Sequence, residues 1–402
     1  MSDIIIVGAG HAAGQAAASL RQEGFAGAIT ILGDEPHIPY QRPPLSKQYL
    51  AGEQGLDRVY LRPEKFYAGK DIAVRAGVRV ERIDPAVRNL TTSSGETLAY
   101  EQLLLTTGSR PRRLNLPGSE LEGVHYLRTI ADVDAIKADM APGKRVVVVG
   151  GGYIGLEVAA VCVEAGLEVH VLEMEQRILA RVTTPAMSDF YHRLHEGRGV
   201  GIHTGARVTG FSGNGRVSAV QCGDGSFAAD FAVVGIGIVP NVELAEEAGL
   251  ECDDGILVDE RCRTSDPNIY AAGDCTNHPN PLLGRRLRLE SVPNAMEQAR
   301  VAAANLCGKD REYAAVPWFW SDQYELKLQM VGFSGDGDAE VVRGEMATNQ
   351  FAVFYLSDGK IVAADAVNSP KEFMLCRRLV GQPADPAALA DPNADLKSLL
   401  AG

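Results

Sequence analysis

Two glycine-rich runs are placed to hold phosphorylated cofactors: Gly8-Ala9-Gly10-His11-Ala12-Ala13-Gly14, and Gly150-Gly151-Gly152-Tyr153-Ile154-Gly155. In such a run the first glycine makes a tight turn and the second lets the backbone approach a pyrophosphate. A small third residue, here Ala13 or Gly155, lets helix and strand pack closely. The pyrophosphate then rests on the N–H groups that open the following helix. A carboxylate about 20 residues further on accepts from a ribose hydroxyl. After the first run Asp34 is the choice for that role, with Glu35 second; after the second run it is Glu173. Glu173 would repel a 2′-phosphate, and Met174, Glu175 and Gln176 follow it rather than Lys or Arg. NADH is therefore expected over NADPH, the alternative being that Arg177 or Arg181 swings back to a 2′-phosphate.

Strands and helices must flank these runs if they are to work. Ile4 to Val7 reads as a strand ahead of the first run, an Ala-rich helix extends to Gln22, and Ala28 to Leu32 reads as the second strand. The order returns with strand Val146 to Val149, a helix through Glu157 to Ala165, and strand Glu168 to Leu172. One glycine-rich turn is weak evidence, because many α/β folds contain one; two, each between strands and followed by an acid at the right distance, point to dinucleotide binding. The plain alternative is a pair of Rossmann repeats without ligands.

The chain has 402 residues, 46% hydrophobic and 23% charged, enough for two or three globular domains. Its net charge of −13 and isoelectric point near 5.2 argue against nucleic acid and anionic lipid as partners. The run without Asp, Glu, Lys or Arg between Asp3 and Arg21 is too short and too polar to span a bilayer, and the start does not read as a signal peptide; a cytoplasmic protein is expected. Seven cysteines lie scattered with no CxxC, and eight histidines show no ligand spacing, so no disulfide framework or metal site is expected. No cysteine precedes Cys162, so an N-terminal redox thiol is missing.

The expected fold class is α/β, with two Rossmann-like dinucleotide-binding domains and a C-terminal α+β domain. The second nucleotide unit, 111–234, reads as inserted into the first, made of 1–110 and 235–318; the last domain is 319–402. In the last domain Lys327–Phe333, Phe351–Leu356 and Ile361–Val367 read as antiparallel strands, followed by a helix from Pro370 to Val380. The tail from Pro383 reads as loosely ordered until Leu396.

Further segments carry a resemblance. Pro39-Tyr40-Gln41-Arg42-Pro43-Pro44-Leu45-Ser46-Lys47 could be no more than a stiff loop whose Ser46 caps a helix. With it, however, come Thr106-Thr107-Gly108, Gly235-Ile236-Gly237, Ala271-Ala272-Gly273-Asp274-Cys275, Ser291-Val292-Pro293-Asn294-Ala295 and Pro317-Trp318-Phe319-Trp320. In that order, over nearly the whole chain, they resemble the two-dinucleotide flavoprotein reductases, specifically the NADH:ferredoxin reductases of the putidaredoxin reductase type. Apoptosis-inducing factor is similar more loosely.

The resemblance implies FAD in the first domain, its pyrophosphate on Gly8, Gly10 and Ala12 and its ribose on Asp34 or Glu35. Val80 meets the adenine, Asp274 the ribityl chain, and Arg42, Thr107, Gly108, Arg128 and Val292 complete the flavin site. NADH is implied in the second domain, on Gly150, Gly152, Tyr153, Ile154, Gly155, Glu173 and Gly237. Lys47 is implied beside the reactive edge of the flavin, paired with Glu157, with Tyr153 shielding the nicotinamide side and Trp320 reaching the far side. The alternatives are a solvated loop lysine, a helix-surface acid and a core aromatic. Hydride would pass from NADH to FAD, and single electrons would go on to a [2Fe-2S] ferredoxin that supplies a cytochrome P450 or a ring-hydroxylating oxygenase. An acidic ferredoxin needs a local basic patch on this acidic chain, with Arg285, Arg286 and Arg288 the first candidates and Lys371, Arg377 and Arg378 weaker ones. Three rivals stay open: a thiol-dependent peroxidase or coenzyme A disulfide reductase, a signalling flavoprotein with a stable NADH charge-transfer complex, and a rubredoxin reductase.

Overall fold

The computed structural model describes residues 3–223 and 225–400. They form two compact units. The first comprises the chain up to Arg42, Gly55–Arg110 and Ile238–Ala315; the second comprises Pro43–Gln54, Pro111–Gly237 and Val316 onward.

In the first unit, Ile4–Val7 pairs in parallel with Ile29–Gly33 on one side and Gln102–Leu105 on the other. The outer strands are Ile72–Ala76 and Ile269–Ala271, giving a five-stranded parallel sheet. The near-continuous run Ile4-Ile5-Ile6-Val7 is what a strand buried on both faces requires, and all four side chains are buried. Helices His11–Gln22 and Val292–Leu306 cover one face, meeting through Ala12, Ala13, Ala16 and Ala17 against Ala295, Ala299, Ala302 and Ala303. With only methyl groups there, the helix backbones can approach closely, and a Leu at Ala16 would overpack the seam by about 1–3 kcal/mol.

The second unit repeats the plan. Its parallel sheet runs in the order Gly201–Thr204, Glu168–Glu173, Arg145–Val149, Phe231–Val234, Val124–Tyr126. Helix Tyr153–Glu164 follows the central strand. The unit also holds a five-stranded antiparallel sheet in the order Trp318–Gln323, Leu326–Gly332, Lys360–Val367, Gln350–Ser357, Ala339–Glu345. Helix Pro370–Leu379 seals it with Phe373, Cys376 and Leu379.

Two readings of the sequence need correction here. Strand Ala339–Glu345 was not anticipated, because its buried position is the charged Arg343 while Val342 faces outward, which blurs the apolar alternation. The tail is not loose before Leu396. Arg343, 7% exposed, donates to the carbonyls of Leu389, Asp391, Pro392 and Ala394, and a short helix, Pro386–Ala390, is capped by Asp385. A buried guanidinium needs acceptors, and the tail's turns supply them. Among the described residues no helix is long and apolar enough to cross a membrane.

Candidate active site

The first cradle lies at the carboxyl end of strand Ile4–Val7. Gly8 has φ +105°, and a Cβ there would lie 2.3 Å from the Thr106 carbonyl oxygen, so the turn tolerates only glycine. Gly10 differs: its φ of −95° suits any residue, yet nothing lies within 4 Å of where its Cβ would stand. It caps helix His11–Gln22 without a side-chain hydrogen bond, which leaves the first-turn N–H groups for a ligand. Beside it opens a cavity of about 680 Å³ lined by Gly8, Asp34, Val80, Glu81, Thr107 and Glu243, among others. Bare backbone at a helix N-terminus next to a roomy cleft with carboxylates fits the phosphates, ribose and adenine of FAD.

Of the two acids proposed for the ribose, Asp34 lines this cavity. Glu35 is engaged elsewhere, accepting from Tyr40 Oη at 2.6 Å and Arg42 Nη2 at 2.9 Å. Burial would lower the Arg42 pKa, but Tyr40, Glu35 and Asp274 together raise it. Ser109 donates to Asp274 at 2.9 Å, while Thr107 and Asn241 exchange hydrogen bonds of 2.7 and 2.8 Å that fix the loop through Gly108. The N–H of Gly273, at φ +94°, binds Gln298 Oε1, which fixes the turn ahead of Asp274. Val292 opens its helix behind the Ser291 cap. Arg128 lies in the second unit, where its N–H joins the Asp132 carboxylate at the start of helix Ile130–Asp139.

The second cradle has the same construction. Gly150 has φ +111°, and a Cβ would fall 2.3 Å from the Gly235 carbonyl oxygen; a Cβ on Gly155 would lie 2.1 Å from Gly150 O. Gly152 again faces open space and caps helix Tyr153–Glu164 without a side chain. Glu173 accepts from Gly151 N–H at 2.7 Å and Glu175 N–H at 2.8 Å, so a carboxylate is built into the loop where the ribose of a dinucleotide would rest. Arg177 turns back to the Ala180 carbonyl at 2.9 Å. Arg181 lies by Gly237, whose φ is +100°. Ile154 is exposed at the cradle, and the Tyr153 hydroxyl reaches the Met330 sulfur, its ring 5.3 Å from Phe319. These features fit NADH.

Between the Pro43–Ser46 turn and the helix Tyr153–Glu164 the structure brings Lys47 and Glu157 together at 2.6 Å, 10% and 3% exposed. Ser46 Oγ donates to the same carboxylate oxygen at 2.5 Å, and Ser321 Oγ to the other at 2.6 Å. Three donors around one carboxylate satisfy its oxygens where water is excluded. Removing one partner of such a pair costs about 3–5 kcal/mol. The sequence suggests Ser46 only as a helix cap and gives Ser321, directly after Trp320, no role; their place as supports of Glu157 comes from the fold. Trp318 and Trp320 stand on one side of their strand with ring centroids 5.7 Å apart, and Arg377 lies over Trp318.

The three proposed docking arginines do not form an unneutralised patch. Arg288 is paired with Asp254 and Glu290, and Arg286 donates to the carbonyls of Val258 and Asn277. Arg285, Lys371 and Arg378 are exposed. All seven cysteines are free thiols. Burial pushes the thiol of Cys275, next to Asp274, upward, which removes it as a nucleophile.

Comparison with known proteins decides the family. Residues 2–299 match the pyridine nucleotide-disulphide oxidoreductase family, and residues 318–400 match a reductase C-terminal domain. The chain belongs to the pyridine nucleotide-disulphide oxidoreductases. This family member is 44% identical to a ferredoxin–NAD(P)(+) reductase of Sphingomonas, over 99% of this chain and 97% of that one. It is 45% identical to the ferredoxin–NAD(+) reductase component of an anthranilate 1,2-dioxygenase system from Burkholderia cepacia, over 98% of each. Among solved structures it is similar to a covalent putidaredoxin reductase–putidaredoxin complex, with TM-score 0.95 and 43% identity, covering 100% of this chain and 98% of that one. Despite the family's name, no cysteine stands in the first cradle.

Proposed function

We propose that this oxidoreductase is an FAD-dependent NADH:ferredoxin reductase supplying a cytochrome P450 or a ring-hydroxylating oxygenase. The observation that carries it is the repeated cradle: two bare glycines, Gly10 and Gly152, each opening a helix next to a carboxylate, Asp34 or Glu173. Relatives named as ferredoxin reductases, one of them from a dioxygenase system, support the acceptor. When bound, NADH would supply the hydride and FAD would accept its electron pair and hand it on as two single electrons, the proton being released to solvent. The protein's part is to hold and tune. FAD is assigned to 1–110 and 235–318, on Gly8, Gly10, Ala12, Asp34, Val80, Thr107, Gly108, Asp274 and Val292, with Arg42 and Arg128 in support; NADH is assigned to 111–234, on Gly150, Gly152, Tyr153, Ile154, Gly155, Glu173 and Gly237. Residues 319–402 form the third domain.

Lys47, ion-paired with Glu157, is assigned as the cation beside the flavin, where it would favour an anionic reduced ring. Trp320 is assigned to the side where electrons leave. Seven free thiols suit a reducing compartment, and the cytoplasm is proposed on that ground. The docking surface for a [2Fe-2S] ferredoxin is assigned to the hairpin that carries Arg285; Lys371, Arg377 and Arg378, in the other unit, are the weaker candidates. Arg286 and Arg288 serve it as supports of the hairpin that carries Arg285.

The test is an acceptor panel with NADH as donor. A [2Fe-2S] ferredoxin should be reduced far faster than rubredoxin or hydrogen peroxide, and R285E should raise the KM for ferredoxin severalfold while ferricyanide reduction is unchanged. Preference for rubredoxin or peroxide contradicts the proposed acceptor, and equal loss of both activities in R285E contradicts the docking assignment.

A further inference from the structure

Behind Glu157 the hydrogen bonds do not stop. Ser321 Oγ lies 2.6 Å from Glu157 Oε1, Gln323 Nε2 lies 3.1 Å from Ser321 Oγ, and Gln323 Oε1 lies 2.8 Å from His195 Nε2. His195 Nδ1 in turn lies 2.9 Å from the Tyr324 hydroxyl. Ser321, Gln323 and His195 are at most 1% exposed. Tyr324 sits at the surface turn between strands Trp318–Gln323 and Leu326–Gly332, at φ +56°, under the Arg198 guanidinium. Five polar side chains thus run unbroken from the partner of Lys47 to the edge of the unit.

The carboxylate fixes the direction of every link. As an anion already accepting from Lys47 and Ser46, Glu157 can only accept from Ser321. Ser321 has one proton, so it must accept from Gln323, which orients the amide with Nε2 toward the serine. Gln323 Oε1 then needs a donor, so His195 Nε2 carries the hydrogen. Burial drives His195 down to about 4, so the ring is neutral, its Nδ1 is bare, and Tyr324 must donate to it. All four dipoles point the same way, toward Glu157. Because the amide in the middle does not pass protons on, the chain is an electrostatic support rather than a proton path.

We propose that Ser321, Gln323 and His195 are positioning residues that hold Glu157 as a carboxylate and, through it, Lys47 as an ammonium. Its value for the flavin rests on the reading of Lys47 given above. The charged and titratable groups around the chain are Lys47, paired with Glu157; Tyr191, on the helix that carries His195, which feels Glu157, Asp322 and Asp365 together; and His192, which bears on His195. Of these only Lys47 touches Glu157.

The experiment titrates Glu157 in the holoprotein by infrared difference spectroscopy with carboxyl-labelled glutamate, E157Q serving to assign the band, and in parallel records the pH profile of flavin reduction by NADH. A hydrogen bond to a charged group is strong enough that S321A should raise the proton affinity of Glu157 roughly tenfold. Without that donor the charged form is disfavoured, so the acid limb of the rate profile moves toward neutral pH. S321T restores the wild-type limb, and Q323M gives a smaller shift in the same direction. If S321A and Q323M lower the thermal midpoint but leave the Glu157 titration in place, the chain is mere packing and the proposal falls. K47M separates the two claims: if it reduces its flavin at the wild-type rate, the assigned role of Lys47 fails, while the infrared titration still decides the chain.

Discussion

Gly150 and Gly152 stand two residues apart and do opposite work. At Gly150 both the positive φ and the Gly235 carbonyl forbid a side chain, whereas at Gly152 only a ligand would notice one. G150A should therefore destabilise the protein by about 2–5 kcal/mol. G152A should cost about 1 kcal/mol as a weaker helix cap and yet abolish NADH-driven flavin reduction. Thermal melts and anaerobic NADH titrations of both variants check this; a G152A enzyme reduced normally by NADH would contradict the assigned cradle. The turn glycines, and the places of Asp34 and Glu173 beside the two turns, were legible in the sequence because tight-turn geometry restricts which residue types can stand there. Glu35 was not separable from Asp34, since only the fold shows it turned to Tyr40 and Arg42. Nor could charge alone show that Arg288 is already neutralised by Asp254 and Glu290, because both contacts depend on a hairpin whose register the sequence does not display.

At the scale of elements, strand Lys360–Val367 carries a buried acid at its centre. Asp365 accepts from Thr183 and Tyr355, both at 2.8 Å, and so ties the segment ahead of helix Pro185–Gly197 to the antiparallel sheet. Burial raises its pKa to about 6 against the hydrogen bonds that lower it. An acid raised in the folded state adds stability below its unfolded pKa and loses it as pH rises through the folded value. Asp365 should thus make the protein less stable between about pH 4 and pH 6 as pH rises, by up to about 3 kcal/mol. D365N should flatten that slope and raise the melting temperature at pH 8, as measured by calorimetry across the range; a steeper slope in the variant would contradict it. The strands around Asp365 were readable from alternation and from the Asp358-Gly359 turn. The partners were not, because Thr183 lies 182 residues away in sequence. The Arg343-bound tail escaped for the same reason, since its order comes from a long-range donor, whereas edge strand Ala339–Glu345 was hidden by a charge at its buried position.

For the whole molecule, the sequence displays two nucleotide units because each is a local strand, turn and helix, and the structure builds each as a parallel sheet with its cradle at the strand end. Electron transfer is a property of the assembled chain, and so is its direction. The central claim is that electrons enter from NADH, pass through FAD and leave singly to a two-iron ferredoxin. The measurement that tests it most directly is anaerobic stopped-flow reduction of the purified yellow protein by NADH and by NADPH, followed by mixing with a [2Fe-2S] ferredoxin. The account expects rapid bleaching by NADH, slow bleaching by NADPH because Glu173 opposes a 2′-phosphate, and fast reoxidation by ferredoxin. A reduced protein with a persistent long-wavelength band that ferredoxin cannot discharge would contradict it.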